Sequence, residues 1–345
     1  MDIRNRRALK EAAGAKLAAA QYDPRRLALV HTGAALGVAL LVMLINYLIG
    51  TQVETAGGLS GMGMRSVLGT VQTTLEYAVN IAMPFWEMGF IYAAVCMARG
   101  QRVGPASLLE GFRRFGPVLR LRLMKLFLYF GAAIACVYAA SFLFMLTPFS
   151  TPMVETLLPL MESAMTVEEM ELVLMQLPTE ELIQMSVPYL VIFGILFLVA
   201  ALFLCYRFRV ADFILMDEPK TGALLAMSLS TRMTRRNRWE LLKLDLSFWW
   251  FYLLAAVSVA VTYGDVLLPL MGVTLPMSAE AAWFVFYLLG AAVQLGLYWY
   301  GYSHLQTTWA VAHDTLRQML QEQLTKPAVP QPVPQKLPWD DYQTE

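Results

Sequence analysis

The sequence predicts an all-α polytopic membrane protein: a bundle of six transmembrane helices with short amphipathic helices between the spans. Three observations carry this. Val187 to Tyr206 runs for twenty residues without a charge. At about 1.5 Å of helical rise per residue it crosses roughly the 30 Å hydrocarbon core of a bilayer, and it lacks the polar face that a water-soluble helix keeps. Of the 345 residues 58% are apolar and 15% charged, with a mean hydropathy of +0.52. Soluble domains run at about 45–50% and about 25%. Third, the basic residues are confined to alternate connections.

The elements follow in order. Residues 1–26 are basic and alanine-rich. Ile3, Leu9, Ala13 and Leu17 share a helix face flanked by Arg6, Arg7, Lys10 and Lys16, the pattern of a juxtamembrane helix lying on an anionic surface. The segment is too basic, and the apolar run after it too long, for a cleavable signal. Asp23-Pro24 opens the first span, 27–49, in which Gly33 and Gly37 form a small-xxx-small pair. That pair fits packing within the bundle or a homodimer seam. The glycine-rich stretch 50–70 reads as a flexible loop. The second span is 72–98, and Pro105 opens a short helix carrying Leu108, Leu109 and Phe112 on one side. The third span is 121–146, with Arg120, Arg122 and Lys125 placed to snorkel to headgroups.

Residues 148–186 contain seven glutamates and no Lys or Arg. Thr166 and Glu169 fit a capping box, so two or three short amphipathic helices are expected there. The fourth span, 187–216, passes Arg207, Arg209 and Asp212, and Asp217-Glu218-Pro219 reads as the start of another short helix. A fifth span covers 244–268 and a sixth 280–311, extending as one helix toward Gln321. The tail, 322–345, is proline-rich and reads as extended and disordered. The segments around Pro105 and Pro219 suggest a parallel internal repeat.

Of the 26 basic residues, 25 lie in alternate connections and the termini; the exception is Arg65. By the positive-inside rule both termini are cytoplasmic, the acidic connection faces out, and an even number of spans is required. The net charge is zero, so no nucleic-acid partner is implied.

The stretches 90–119 (FIYAAVCMARGQRVGPASLLEGFRRFGPVL) and 206–250 (YRFRVADFILMDEPKTGALLAMSLSTRMTRRNRWELLKLDLSFWW) resemble the bacterial membrane family labelled domain of unknown function 975. The RG-x₇-LLEGF and FILMDEP…LLKLDLSF segments carry the likeness, and the start at 5–13 (NRRALKEAA) is similar too. The resemblance runs from the N-terminus to about residue 310. The family often has Gly in the basic turn where this chain has Asn237. The resemblance implies an integral protein of the bacterial cytoplasmic (cell) membrane and no particular chemistry.

Candidate chemistry is sparse. Glu76, Asn80, Met83 and Glu87 recur on one face of the second span, with the two carboxylates about 16 Å apart along the axis. They suggest a path for an ion or proton; the alternative is a single glutamate held within the bundle. Gly58-Leu59-Ser60-Gly61 spells the GxSG of rhomboid proteases and His304 lies on a later span, but neither has the required membrane context. Cys96, Cys136 and Cys205 lie far apart in apolar runs, without disulfide or zinc spacing, and no cofactor or metal motif is present. His31 and His313 read as packing residues. The basic connections offer Arg113, Arg114, Arg235, Arg236 and Arg238 to anionic phospholipids. Two readings stand: a non-enzymatic scaffold or accessory protein that binds lipids or partner proteins, and a small-solute or ion transporter using the Glu76/Glu87 face.

Overall fold

The computed structural model describes residues 2–55, 59–151, 179–218, 220–273 and 276–325. The helices expected within 152–178 and the tail over 326–345 lie outside the described residues.

Among the described residues every regular element is helical. Helix α1 (Arg6–Ala18) starts at Asn5, whose side chain caps the Ala8 amide. Helices α2 (Pro24–Thr55) and α3 (Leu59–Ala98) follow. A 3-10 turn (Pro105–Leu109) and α4 (Glu110–Arg113) lead into α5 (Phe115–Met145). Then come α6 (Thr179–Phe208), α7 (Ala211–Asp217), α8 (Ala223–Thr234), α9 (Arg238–Leu246), α10 (Trp249–Thr262) and α11 (Gly264–Leu270). Helix α12 (Ala279–Leu297) continues through a π turn (Tyr298–Tyr302) into α13 (Ser303–Thr325). Five helices are long and apolar enough to cross a membrane, and six if the bent pair α9 and α10 counts as one span. This is the architecture of a membrane protein.

The core is gathered at the basic end of the helices. Phe90, Leu108, Leu121, Leu215, Leu241 and Trp309 are fully buried there, contributed by segments far apart in sequence. Helix α1 packs along α13, and α3 runs between α2, α7 and α13. In the other half, α5 pairs with α6 and α10 with α12. Large apolar side chains such as Phe127, Tyr138 and Val199 point outward from these pairs. None of the apolar stretch of α6 is buried by the rest of the protein. Such surface is stable only against lipid or another protein.

Several expectations are corrected. The loop expected over 50–70 is mostly helix, since α2 reaches Thr55 and α3 starts at Leu59. A glycine costs roughly 1 kcal/mol in a helix, but backbone groups in an apolar medium must bond within the chain. The apolar face expected on α1 packs into the core: Leu9 and Ala13, with Ile3 just before the helix, are buried. Leu109 and Phe112 are exposed while Leu108 is buried, so the segment after Pro105 has no single apolar side. Asp217-Glu218 ends α7 rather than starting a helix, and Gly222 precedes α8. The fourth span holds as one apolar stretch, Ser186–Asp217, with a turn at 209–210 between α6 and α7.

The fifth span is not one helix. α9 and α10 meet at 63°. Lys10 Nζ takes the Ser247 carbonyl at 2.7 Å, and the Phe251 amide bonds instead to the Phe248 carbonyl at 2.8 Å. The regular i to i−4 ladder is interrupted at that point. The suggested repeat has no counterpart in shape: a five-residue 3-10 turn stands at Pro105, and the second segment is a twelve-residue α-helix.

Candidate functional site

Charged residues inside apolar runs need partners, and the fold supplies them at its basic end. Asp245, buried in α9, accepts from Tyr206 Oη at 2.8 Å, Trp309 Nε1 at 2.8 Å and Tyr252 Oη at 3.0 Å. The Arg209 guanidinium lies 4.9 Å from the centre of the Trp309 ring and interacts electrostatically with Asp245 and Asp212. Asp212 takes Lys125 Nζ on both carboxylate oxygens at 2.9 Å. One turn earlier on α5, Arg122 Nη2 donates to Glu87 at 3.1 Å. Lys125 and Arg122 therefore turn into the protein rather than snorkelling outward.

A second network clamps the ends of α3 and α7 to the middle of α13. Arg99, just past α3, forks onto Asp217 and reaches Asp314 of α13 at 2.8 Å. Arg317 joins the same Asp217 at 2.7 Å and also pairs with Glu218. The Asp217 bond, then that to Asp314, pushes the Arg99 pKa above its ordinary value. Planar guanidinium forks are well matched to such shared carboxylates.

The face expected on the second span is divided. Glu76 and Asn80 are exposed, and Gln72 donates to Glu76 at 3.4 Å. Glu87, a deeper residue, is half-exposed and held by Arg122. His304 packs its ring against Phe248, 5.7 Å between centroids, and Gly61 sits within α3 rather than in a loop. His31 is enclosed by Trp86, Phe90 and Tyr302. Cys96, Cys136 and Cys205 carry free thiols.

The arginines expected at the surface separate into three kinds. Arg113 pairs with Glu110 at 2.6 Å. Arg114 turns inward to the Met216 carbonyl and lies 4.9 Å over the Tyr92 ring. Arg235 and Arg236 are exposed, and Arg238 sits 4.6 Å over the ring of Phe203, which faces outward from α6. Arg207 and Arg235 both repel Arg238. Among the described residues no carboxylate pairs with Arg207, Arg235 or Arg238. Trp239, next to Arg238 in sequence, is exposed, as are Leu246 and Trp249 further along. Tryptophan is enriched at the interfaces between a bilayer and water.

Sequence reasoning missed Lys125, Arg209, Asp212, Asp245 and Trp309 as one assembly. The signal was a lone charge in each apolar run, but the partners lie up to 87 residues apart for Lys125 and Asp212.

The model of the family described as Protein of unknown function (DUF975) matches residues 26–289. That range includes Glu87, Asp212 and Asp245 but neither α1 nor α13. No curated protein and no solved structure matches the chain. With most of its length matched, the chain belongs to the DUF975 family.

Proposed function

We propose that this chain is a multi-pass scaffold or accessory protein of the bacterial cell membrane that holds anionic phospholipid headgroups at Arg207, Arg235 and Arg238. The observation that carries the reading is three guanidinium groups drawn together without a carboxylate, beside exposed Trp239. An anionic phosphate supplies the missing counter-charge. The reading places both termini and the packed core in the cytoplasm, counts α9 with α10 as one broken span, and assigns no catalytic role. A reporter fused near residue 165 should report the outside.

The test is native mass spectrometry of protein released from nanodiscs of mixed phosphatidylglycerol and phosphatidylcholine. Each basic residue near an anionic surface contributes about 1 kcal/mol. Arg235→Gln with Arg238→Gln should therefore lower phosphatidylglycerol retention by roughly 30-fold. Unchanged retention sinks the proposal.

Support over the transporter reading comes from Glu87, which is paired with Arg122, while Glu76 faces outward. The same experiment covers the rival: a small solute retained in stoichiometric amount and lost in Glu87→Gln would establish a carrier.

We also assign self-association to α2. A Cβ at Gly33 or Gly37 would meet nothing within 4 Å among the described residues, which leaves this small-residue pair open to a second copy.

A further inference from the structure

Between α8 and α13 lies a groove of about 230 Å³, built from Arg232, Arg235 and Arg236 on one wall and Met233, Met319 and Leu320 as its apolar floor and far side. The three arginines are exposed, and among the described residues none makes a salt bridge. Its occupant must combine negative charge with apolar bulk. Such a segment follows directly in the chain: α13 ends at Thr325 beside the groove residue Gln323, and the sequence then runs through five prolines to Trp339-Asp340-Asp341-Tyr342.

We propose that this acidic, aromatic segment docks in the Arg232/Arg235/Arg236 groove of its own chain. Charge complementarity selects it: after Lys336 the chain carries Asp340, Asp341 and Glu345 and no basic residue. Trp339 and Tyr342 match the methionines, whose flexible thioethers pack well against rings. Reach is ample. From Thr325 back to Leu316, at the inner end of the groove, is about 14 Å of helix, whereas the fourteen residues from 326 to 339 span at most about 46–50 Å. Attachment to the groove's own helix also gives the segment a high effective concentration, so weak contacts suffice.

Docking has a consequence for the membrane. Arg235 belongs both to the groove and to the headgroup cluster, so a carboxylate on it competes with a phosphate. That consequence rests on the headgroup reading; the docking itself does not.

The experiment uses the full chain in nanodiscs of neutral phosphatidylcholine, with the photoreactive residue p-benzoylphenylalanine at position 339. Irradiation and peptide mapping should find cross-links within the chain to Met233 and Met319. Asp340→Lys with Asp341→Lys should lower their yield about fivefold by removing exposed charge pairs, and high salt should do the same. Combining those changes with Arg232→Glu and Arg236→Glu should restore the yield. The tail variant alters none of the described core residues, so it tests docking even where the arginine variants misfold. Cross-links mainly to lipid, to a second copy, or spread over the surface would overturn the proposal, as would a yield indifferent to the charge reversals.

Discussion

Gly89 of α3 and Leu108 of the turn before α4 touch backbone to backbone: a Cβ added at Gly89 would lie 1.8 Å from the Leu108 carbonyl oxygen. The contact is doubled one turn away, where a Cβ at Gly111 would lie 1.8 Å from the Phe85 carbonyl oxygen. The segment between α3 and α5 is thereby pressed into the side of α3. Gly89→Ala and Gly111→Ala should each cost about 1–3 kcal/mol or more, since backbone and not a flexible side chain must move. Gly116→Ala, where nothing lies within 4 Å, should be close to neutral. Thermal unfolding of the purified protein in detergent separates the two classes; equal Tm values would refute the contact.

Asp245 is the acceptor for three side chains on α6, α10 and α13. Asp245→Ala strands those donors and leaves Arg209 beside a lost counter-charge, which should cost about 3–5 kcal/mol. Tyr206→Phe removes one donor only and should cost about 1 kcal/mol. Similar Tm losses for the two variants would mean that Asp245 is not the hub.

The Lys125–Asp212 pair is largely enclosed, with 13% and 14% of the two side chains exposed. Lys125→Met alone leaves Asp212 without its partner and should destabilise by about 3–5 kcal/mol. Lys125→Met with Asp212→Leu should recover most of that loss, because two apolar groups replace two desolvated charges. A double variant as unstable as the sum of its singles would contradict this account.

Gly33→Ile with Gly37→Ile tests the seam assigned to α2. A Cβ at either position meets nothing within 4 Å among the described residues, so Tm should be unchanged to within about 0.5 kcal/mol of stability. The dimer fraction in native mass spectra should fall. A fraction that stays constant places any self-association elsewhere.

How much of this was legible beforehand differs by element. The uncharged run from Val187 to Tyr206 could be nothing but an apolar helix, and α6 spans it. The small-residue pair in α2 and the lone Glu87 were also readable, because each is unusual for its own neighbourhood. The break in the fifth span was not. It depends on Lys10 reaching Ser247 across 237 positions, and no local pattern contains that bond. The glycines of α3 misled in the opposite direction: Gly61 and Gly63 read as loop residues, yet the helix runs through them.

The candidate site shows the same division. Arg235, Arg236 and Arg238 were visible as a basic run, but their availability was not, and Arg114, equally basic in sequence, turns inward to Met216. The class of protein and its long apolar helices were legible because they follow from composition and from the length of uninterrupted apolar runs, and the family from the RG-x₇-LLEGF and FILMDEP…LLKLDLSF segments. Which charges are paired depends on how the helices pack. Asp212, Asp217 and Asp245 find their partners through helix packing, and a buried ion is stable only where packing brings its counterpart within bonding distance.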